Sequence, residues 1–271
     1  MFSLGDYEIK SFSAVRRILS EIYDETASKS QMIGLIELDV NKARTEIANF
    51  EKKTDVKISF TGWLIRCVAQ AVFENKEVHS YRWGKRKIIT LDDVHVSTII
   101  ERTSSDGKKV PITYVIREAQ NKSVIDITNE IRSVQERKIE ERDQFVEGTS
   151  RFLVKLYPII PKFIRKMIIR RTLSNTRFFI ENAGTVSVTA LGMFGKNLSG
   201  WALPFSSNTL NLAVGGIKKK PILDKGKLVN HDFLNISIQI DHKIVDGAPA
   251  TRFVSRFAEL IENGFGLEEL K

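Results

Sequence analysis

The chain has 271 residues, 42% hydrophobic and 28% charged, a balance that excludes a disordered polypeptide and predicts a single domain over residues 1–271. Forty-two Lys and Arg against 33 Asp and Glu leave a formal charge of +9, which favours anionic partners without choosing one, and no zinc-finger or RNP-like motif interleaves with the basic residues to point to nucleic acid. One cysteine and four histidines exclude an intrachain disulfide and provide no metal-ligand spacing.

No basic-then-apolar leader is recognisable, and the uncharged run from Asn197 to Ile217 is broken by serines, asparagines, glycines and Pro204, so it does not read as a membrane span. With Cys67 inside an apolar helical pattern, these features predict a reducing, cytoplasmic setting.

In chain order, Ser13 to Arg17 opens an amphipathic helix that continues through Ile18, Leu19 and Ile22 towards Thr26. Met32 to Val40 reads as a strand and Asn41 to Lys53 as a helix. Ser59 to Asn75 places Phe60, Leu64, Cys67, Val68, Ala71 and Val72 at spacings of three and four, which predicts a core helix. A strand from Val94 to Glu101, a turn at Ser104 to Gly107 and a strand through Val110 to Ile112 follow, then a helix from Ile125 to Arg132. The mixed charges of Gln135 to Glu147 read as a solvated helix face.

Residues 135–180 depart from an ordinary pattern. After Tyr157-Pro158-Ile159-Ile160-Pro161, residues Lys162, Arg165, Lys166 and Arg170 fall on one helical arc and Phe163, Ile164, Met167 and Ile168 on another. A basic amphipathic helix of this kind lies on an anionic membrane, receives an acidic partner, or covers the core with its arginines in water. The third is the favoured reading, and membrane contact through 162–171 the less favoured one.

Further on, Leu210 to Gly216 reads as a buried strand ending in glycines, and Asp224-Lys225-Gly226-Lys227 as a hairpin turn. From Asn235 to Asp241 the chain alternates, with Ile236, Ile238 and Ile240 on one side and Ser237, Gln239 and Asp241 on the other, the period of a half-buried strand. His242 falls on the isoleucine side. Pro249 suits the first helical position, Phe253, Val254, Phe257, Leu260 and Ile261 recur at helical spacing, and Asn263-Gly264 supplies a stop. Alternating strands and helices predict an α/β fold.

The densest chemistry lies in Asp241-His242-Lys243-Ile244-Val245-Asp246-Gly247-Ala248-Pro249. A histidine at a strand end is by itself more often a packed core residue than a catalyst. A neutral imidazole of pKa about 6.5 is nonetheless suited to take the proton of a thiol whose own pKa is roughly 8.5. For that role His242 is expected to be neutral, held in one tautomer and buried beside the isoleucines, with Gly247 permitting a close approach or a positive φ.

The string His-x-x-x-Asp-Gly, with its alternating strand before and amphipathic helix after, resembles the active-site motif of the chloramphenicol acetyltransferase superfamily and of the dihydrolipoamide acyltransferases of 2-oxo acid dehydrogenase complexes. Asp241 before the histidine and Ala248-Pro249-Ala250 after the glycine lean towards the dihydrolipoamide branch. A second resemblance lies in Gly184-Thr185-Val186-Ser187-Val188-Thr189-Ala190-Leu191-Gly192-Met193-Phe194-Gly195.

That resemblance implies a chloramphenicol acetyltransferase-like two-layer sandwich with a mixed β-sheet, forming trimers with active sites between subunits. His242 becomes the general base. Thr189 stands where the family has a serine that donates to the oxyanion, and Ala190 replaces the usual asparagine. Asp246 becomes a structural residue that pairs with a basic or amide side chain and holds the turn, for which Arg16 in the Ser-x-x-Arg helix start is the candidate; a solvated Arg16 is as plausible from sequence alone. Coenzyme A is the implied co-substrate and dihydrolipoamide the implied second thiol. Neither a lipoyl domain nor an Ala/Pro-rich linker is recognisable, so the lipoyl group, if any, is expected on a separate carrier protein; otherwise the acyl group travels on another thiol, or the fold serves assembly only. The competing readings are a non-catalytic oligomeric scaffold, a membrane-associated interaction protein, and an antibiotic-type O-acetyltransferase.

Overall fold

A computed structural model describes residues 5–9, 11–12, 14–26, 30–103, 107, 109–137, 159–192, 200–203 and 206–270. The expected turn at Ser104 to Asp106, the charge run beyond Arg137 and the Met193-Phe194-Gly195 end of the second motif lie outside the described residues.

The elements are α1 (Ala14–Thr26), β1 (Gln31–Asp39), α2 (Asn41–Thr54), α3 (Phe60–Glu74), β2 (Tyr81–Trp83), β3 (Lys87–Ile89), β4 (Val96–Thr103), β5 (Lys109–Ile116), α4 (Val124–Glu136), α5 (Lys162–Ser174), α6 (Thr176–Ala183), β6 (Val186–Ala190), β7 (Leu210–Asp224), β8 (Lys227–Asp241) and α7 (Gly247–Glu262). Six strands form a mixed sheet in the order β1-β8-β7-β6-β4-β5, while β2 and β3 make a separate hairpin. β6 runs parallel to both β4 and β7, and the other pairs are antiparallel.

Helices α2, α3, α4 and α7 cover one face of the sheet. The core there is a continuous apolar cluster joining Trp63, Leu64 and Val68 of α3 to Val186, Leu212, Ile236 and Ile238 of the strands and to Phe253 and Phe257 of α7. Fully burying each such side chain contributes about 1.5–3 kcal/mol. Helix α3 starts where the Ser59 side chain accepts from the Gly62 N–H, and α4 where Ser123 and Asp126 form a reciprocal capping box.

Two strands exceed their sequence patterns. β7 does not end at its glycines: the register shifts between Val214 and Ile217, a bulge absorbs Gly215 and Gly216, and the strand continues to Asp224. β8 likewise starts at Lys227, and its Leu234–Asp241 half is buried on both faces rather than half-buried, since Ser237, Gln239 and Asp241 are as enclosed as the isoleucines opposite them.

Helix α5 departs at one position from the expectation that its arginines face water: Arg170 and Arg171 are exposed, but Arg165 is not. Arg165 turns inward, its guanidinium 2.7 Å from Glu21 of α1, with the two side chains only 14% and 10% exposed. Arg170 reaches Glu25 of the same helix at 2.6 Å, and that guanidinium holds the Glu25 carboxyl below its ordinary pKa. The apolar residues Phe163, Met167 and Ile168 are exposed instead. The reason lies in α1, whose Glu21 and Glu25 are spaced one helical turn apart and meet two cations of α5. The acidic partner of this basic helix is therefore the chain's own first helix.

Glu21→Ala leaves the Arg165 guanidinium buried without this carboxylate, a change on the order of 3 kcal/mol for a pair of low exposure. Amide hydrogen exchange in α5 is expected to accelerate at least tenfold while exchange in β7 and β8 stays unchanged; unaltered exchange in α5 contradicts the tether. A second prediction concerns His79, which is fully buried and whose Nε2 lies 3.0 Å from the Leu91 carbonyl. Burial, opposed by that hydrogen bond, pulls its pKa down to about 4. The native state then resists a proton that the unfolded state accepts below about pH 6.5, so stability is lost as pH falls from there towards 4. Between pH 7 and pH 5 this linkage amounts to about 2 kcal/mol. Urea unfolding of His79→Gln should show a correspondingly shallower pH dependence than wild type; parallel curves refute the assignment.

Candidate functional site

His242 follows the last residue of β8, where the strand leaves the sheet. The turn is closely specified. The His242 N–H donates to the Ser30 carbonyl at 2.7 Å, and the Ile244 and Val245 N–H groups donate to the Asp241 carbonyl at 3.0 and 3.1 Å. The Lys243 N–H donates to Oδ1 of Asp241 at 3.1 Å, so this nearly buried carboxylate bridges two residues ahead in an Asx turn. Asp241 thus shapes the loop that presents the imidazole, a role its sequence position signals through the carboxylate two residues before a turn N–H.

His242 is not sequestered beside the isoleucines as expected: its side chain is 52% exposed. The alternation that predicted burial stops at Asp241, and the next residue belongs to the turn. Its Nδ1 lies 3.9 Å from Oδ1 of Asp246, an ion-pair distance too long for a hydrogen bond, and the Asp246 side chain is 91% exposed. Asp246 occupies the position before α7 with extended backbone angles and no capping hydrogen bond from its side chain.

The expected pair between Arg16 and Asp246 does not form within the chain: Arg16 sits on an exposed position of α1, and the ionic partner of Asp246 is His242. Gly247 also departs from expectation. It is the first residue of α7, has no positive φ, and a Cβ there meets nothing within 4 Å. Pro249 lies within that first helical turn, where its missing N–H leaves no hydrogen bond unmade.

Thr189 lies on β6, partly exposed, with Ala213 beside it on β7 and Ser237 beyond that on β8. Ala190 points the other way and is buried in the helix-covered core. The glycines of this motif have steric reasons. Gly184 adopts φ +67°, and a Cβ there lies 2.6 Å from the His95 carbonyl; a Cβ on Gly192 lies 2.2 Å from the Gly215 carbonyl.

The register places Thr189 level with Ser237, five residues short of His242. At about 3.3 Å per residue along the strand and roughly 4.8 Å per strand across the sheet, the backbone positions of His242 and Thr189 lie roughly 20 Å apart. One chain therefore does not bring them to a common atom. Around Thr189 the same sheet face carries buried polar atoms. Asn211 Oδ1, Ser237 Oγ and Gln239 Oε1 all lack a hydrogen-bond partner, although such groups are ordinarily satisfied.

A cleft of about 550 Å³ opens next to the His242 turn, with Asp241, Lys243 and Ile244 in its wall. Tyr81 anchors its floor: the phenol donates to the Thr185 carbonyl at 2.8 Å and accepts from Asn208 Nδ2 at 3.0 Å. Among the described residues, no group of three His, Cys, Asp or Glu side chains is arranged to hold a metal ion.

Comparison with known proteins fits this geometry. Residues 8–149 and 180–267 match the family described as 2-oxoacid dehydrogenases acyltransferase (catalytic domain), with 150–179 unmatched. The chain is 24% identical over 268 residues to the lipoamide acyltransferase component of the branched-chain alpha-keto acid dehydrogenase complex of Bacillus subtilis, covering 96% of this chain and 53% of that protein. It is 28% identical over 218 residues to the dihydrolipoyllysine-residue acetyltransferase component of the pyruvate dehydrogenase complex of Mycoplasma pneumoniae, covering 80% of this chain and 44% of the relative. The chain thus spans about half the length of these curated relatives.

Among solved structures, a probable dihydrolipoamide acetyltransferase from Listeria monocytogenes superposes with a TM-score of 0.67 at 22% identity, covering 97% of each chain. The Azotobacter vinelandii dihydrolipoamide acetyltransferase, in which a serine, a histidine and an asparagine have been investigated for their catalytic roles, gives 0.69 at 16% identity, covering 98% of this chain and 95% of the other. These likenesses establish the fold. With a sheet of matching architecture and a sequence match over most of its length, the chain belongs to the family of 2-oxoacid dehydrogenase acyltransferase catalytic domains.

Proposed function

We propose that the protein is an acyltransferase that moves an acyl group between coenzyme A and a second thiol, dihydrolipoamide, in a site shared by two copies of the chain. The observation that carries this reading is the presentation of His242: a half-exposed imidazole on a turn fixed by Asp241 and Ser30, with Nδ1 towards Asp246 and Nε2 left for chemistry. In the Azotobacter vinelandii enzyme the histidine and asparagine under investigation are four residues apart, the spacing of His242 and Asp246 here.

In this mechanism Nε2 of His242 takes the proton of the incoming thiol, and the sulfur attacks the thioester carbonyl carbon. The carbonyl becomes an oxyanion that accepts a hydrogen bond from the Thr189 hydroxyl of an adjoining copy. Collapse restores the carbonyl and breaks the original carbon–sulfur bond, and the departing thiolate recovers the proton from His242. Threonine serves as donor in place of the family's serine, with the rotamer restriction that its methyl imposes. Loss of one such donor typically slows the chemical step by roughly 10²–10³-fold.

The backbone separation of roughly 20 Å within one chain is the reason to place the site between copies. A homotrimer, the assembly that the family resemblance implied, carries one strand end of each chain to the sheet face of its neighbour.

The test is complementation. His242→Ala and Thr189→Val should each lower acyl transfer from acetyl-coenzyme A to dihydrolipoamide by at least 100-fold. Oligomers assembled from a mixture of the two should regain a substantial fraction of wild-type activity, because some sites then combine an intact His242 with an intact Thr189. No recovery in verified mixed oligomers contradicts the shared site, and an unimpaired His242→Ala enzyme removes the catalytic reading.

A further inference from the structure

The tethers between α5 and α1 fix how α5 is turned about its own axis, and so decide which residues it shows to solvent. At about 100° per residue, Phe163 and Met167 each lie roughly 160° from Arg165, whose guanidinium is held inward on Glu21. Both side chains therefore stand on the outer pole of the helix, 73% and 61% exposed. Ile169, on the inner side, is buried. Leaving a phenylalanine and a methionine one turn apart in water forfeits their apolar contacts, which the fold could have recovered by turning them inward.

That apolar pole is bordered by cations on both flanks. Lys166 and Arg170, again one turn apart, lie on one side of it and Arg171 on the other. Phe163, Lys166, Met167, Arg170 and Arg171 line a single open depression that reaches Ser174 and Asn175. The chain carries no acidic residue from Ile159 to Phe178. Glu21 and Glu25 take up Arg165 and Arg170 from α1, and among the described residues no carboxylate pairs with Lys162, Lys166 or Arg171. The outward charge is thus of one sign and surrounds a pair of exposed apolar side chains.

Negative headgroups laid over hydrocarbon match this arrangement, because apolar side chains can enter the layer while the lysine and arginine stems keep their charged ends among the phosphates. A second copy presenting the same face would set cation against cation, and nucleic acid offers Met167 no comparable gain. We propose that the outer face of α5 docks the protein on an anionic lipid surface, with Phe163 and Met167 entering the boundary between headgroups and acyl chains and Lys166 and Arg171 meeting the phosphates on either side. Thirteen residues rise roughly 20 Å, short of a hydrocarbon thickness of about 30 Å, so α5 lies in the surface rather than across it. The inference goes beyond acyl transfer and does not depend on it.

The experiment is co-sedimentation of the intact protein with vesicles of phosphatidylcholine alone and of phosphatidylcholine with roughly one-third phosphatidylserine. The anionic vesicles should be bound at least tenfold more tightly, with an affinity that falls as salt rises. Phe163→Ser/Met167→Ser and Lys166→Glu/Arg171→Glu should each weaken that binding at least tenfold. Lys218→Glu/Lys219→Glu, an equal change of charge at exposed positions of β7, should leave it within about twofold. Emission gained by Phe163→Trp should shift to the blue on the anionic vesicles, which reports the position of this residue whether or not the serine variant folds. No binding to the anionic vesicles, equal binding to both kinds, an equal loss in the β7 control, or an unshifted Phe163→Trp emission overturns the proposal. So does an oligomer that Phe163→Ser/Met167→Ser splits while vesicle binding is unchanged, which assigns the face to a contact between copies. Vesicle binding without acyl transfer defeats the acyltransferase reading alone, and transfer without vesicle binding defeats this one alone.

Discussion

The register of β6, β7 and β8 is the constraint on which the account depends. Backbone hydrogen bonds align Thr189 with Ala213 and Ser237, and a slip of one residue would exchange the apolar and polar faces of a strand enclosed on both sides. The isoleucines of β8 need the α3 and α7 side of the sheet, so the alignment is not adjustable. With that register, His242 emerges at one end of the sheet while Thr189 stays in its body. The distance between them is a property of the fold, and it turns a question of catalysis into a question of assembly.

The turn after β8 translates this constraint into chemistry. Asp241 is the last strand residue and the first organiser of the loop: its carbonyl accepts two turn amides and its carboxylate a third. The imidazole is therefore positioned by backbone and by Asp241, with Asp246 contributing a charge at 3.9 Å rather than a hydrogen bond. Neutralising the charge at position 246 is accordingly a smaller perturbation than disturbing position 241.

Much of this organisation is legible in the sequence, because it rests on local periodicity. The apolar spacing of Phe60 to Val72 marks α3, the isoleucine alternation marks β8, and Lys225-Gly226 marks a turn in which both residues have positive φ. What depends on distant partners is not legible. Nothing in Arg165 shows that Glu21 will draw it inward and leave Phe163 and Met167 exposed. The Gly215-Gly216 bulge reads as a strand end until its partner strand continues past it. Periodicity also misplaced His242 by extending a strand pattern one residue into a turn, and the motif resemblance assigned Asp246 an arginine that α1 does not bring to it. The polar side of β8 reads as a wet face, yet Ser237 and Gln239 are buried.

The central claim is that base and oxyanion donor come from different copies. It is tested most directly by an experimental structure of the assembled protein with acetyl-coenzyme A or a stable analogue bound. The account predicts that His242 of one chain and Thr189 of the adjoining chain both lie within hydrogen-bond reach of the thioester group. An assembly in which no inter-chain pair of these residues comes within 10 Å, or a protein that remains monomeric while catalysing transfer, would contradict it.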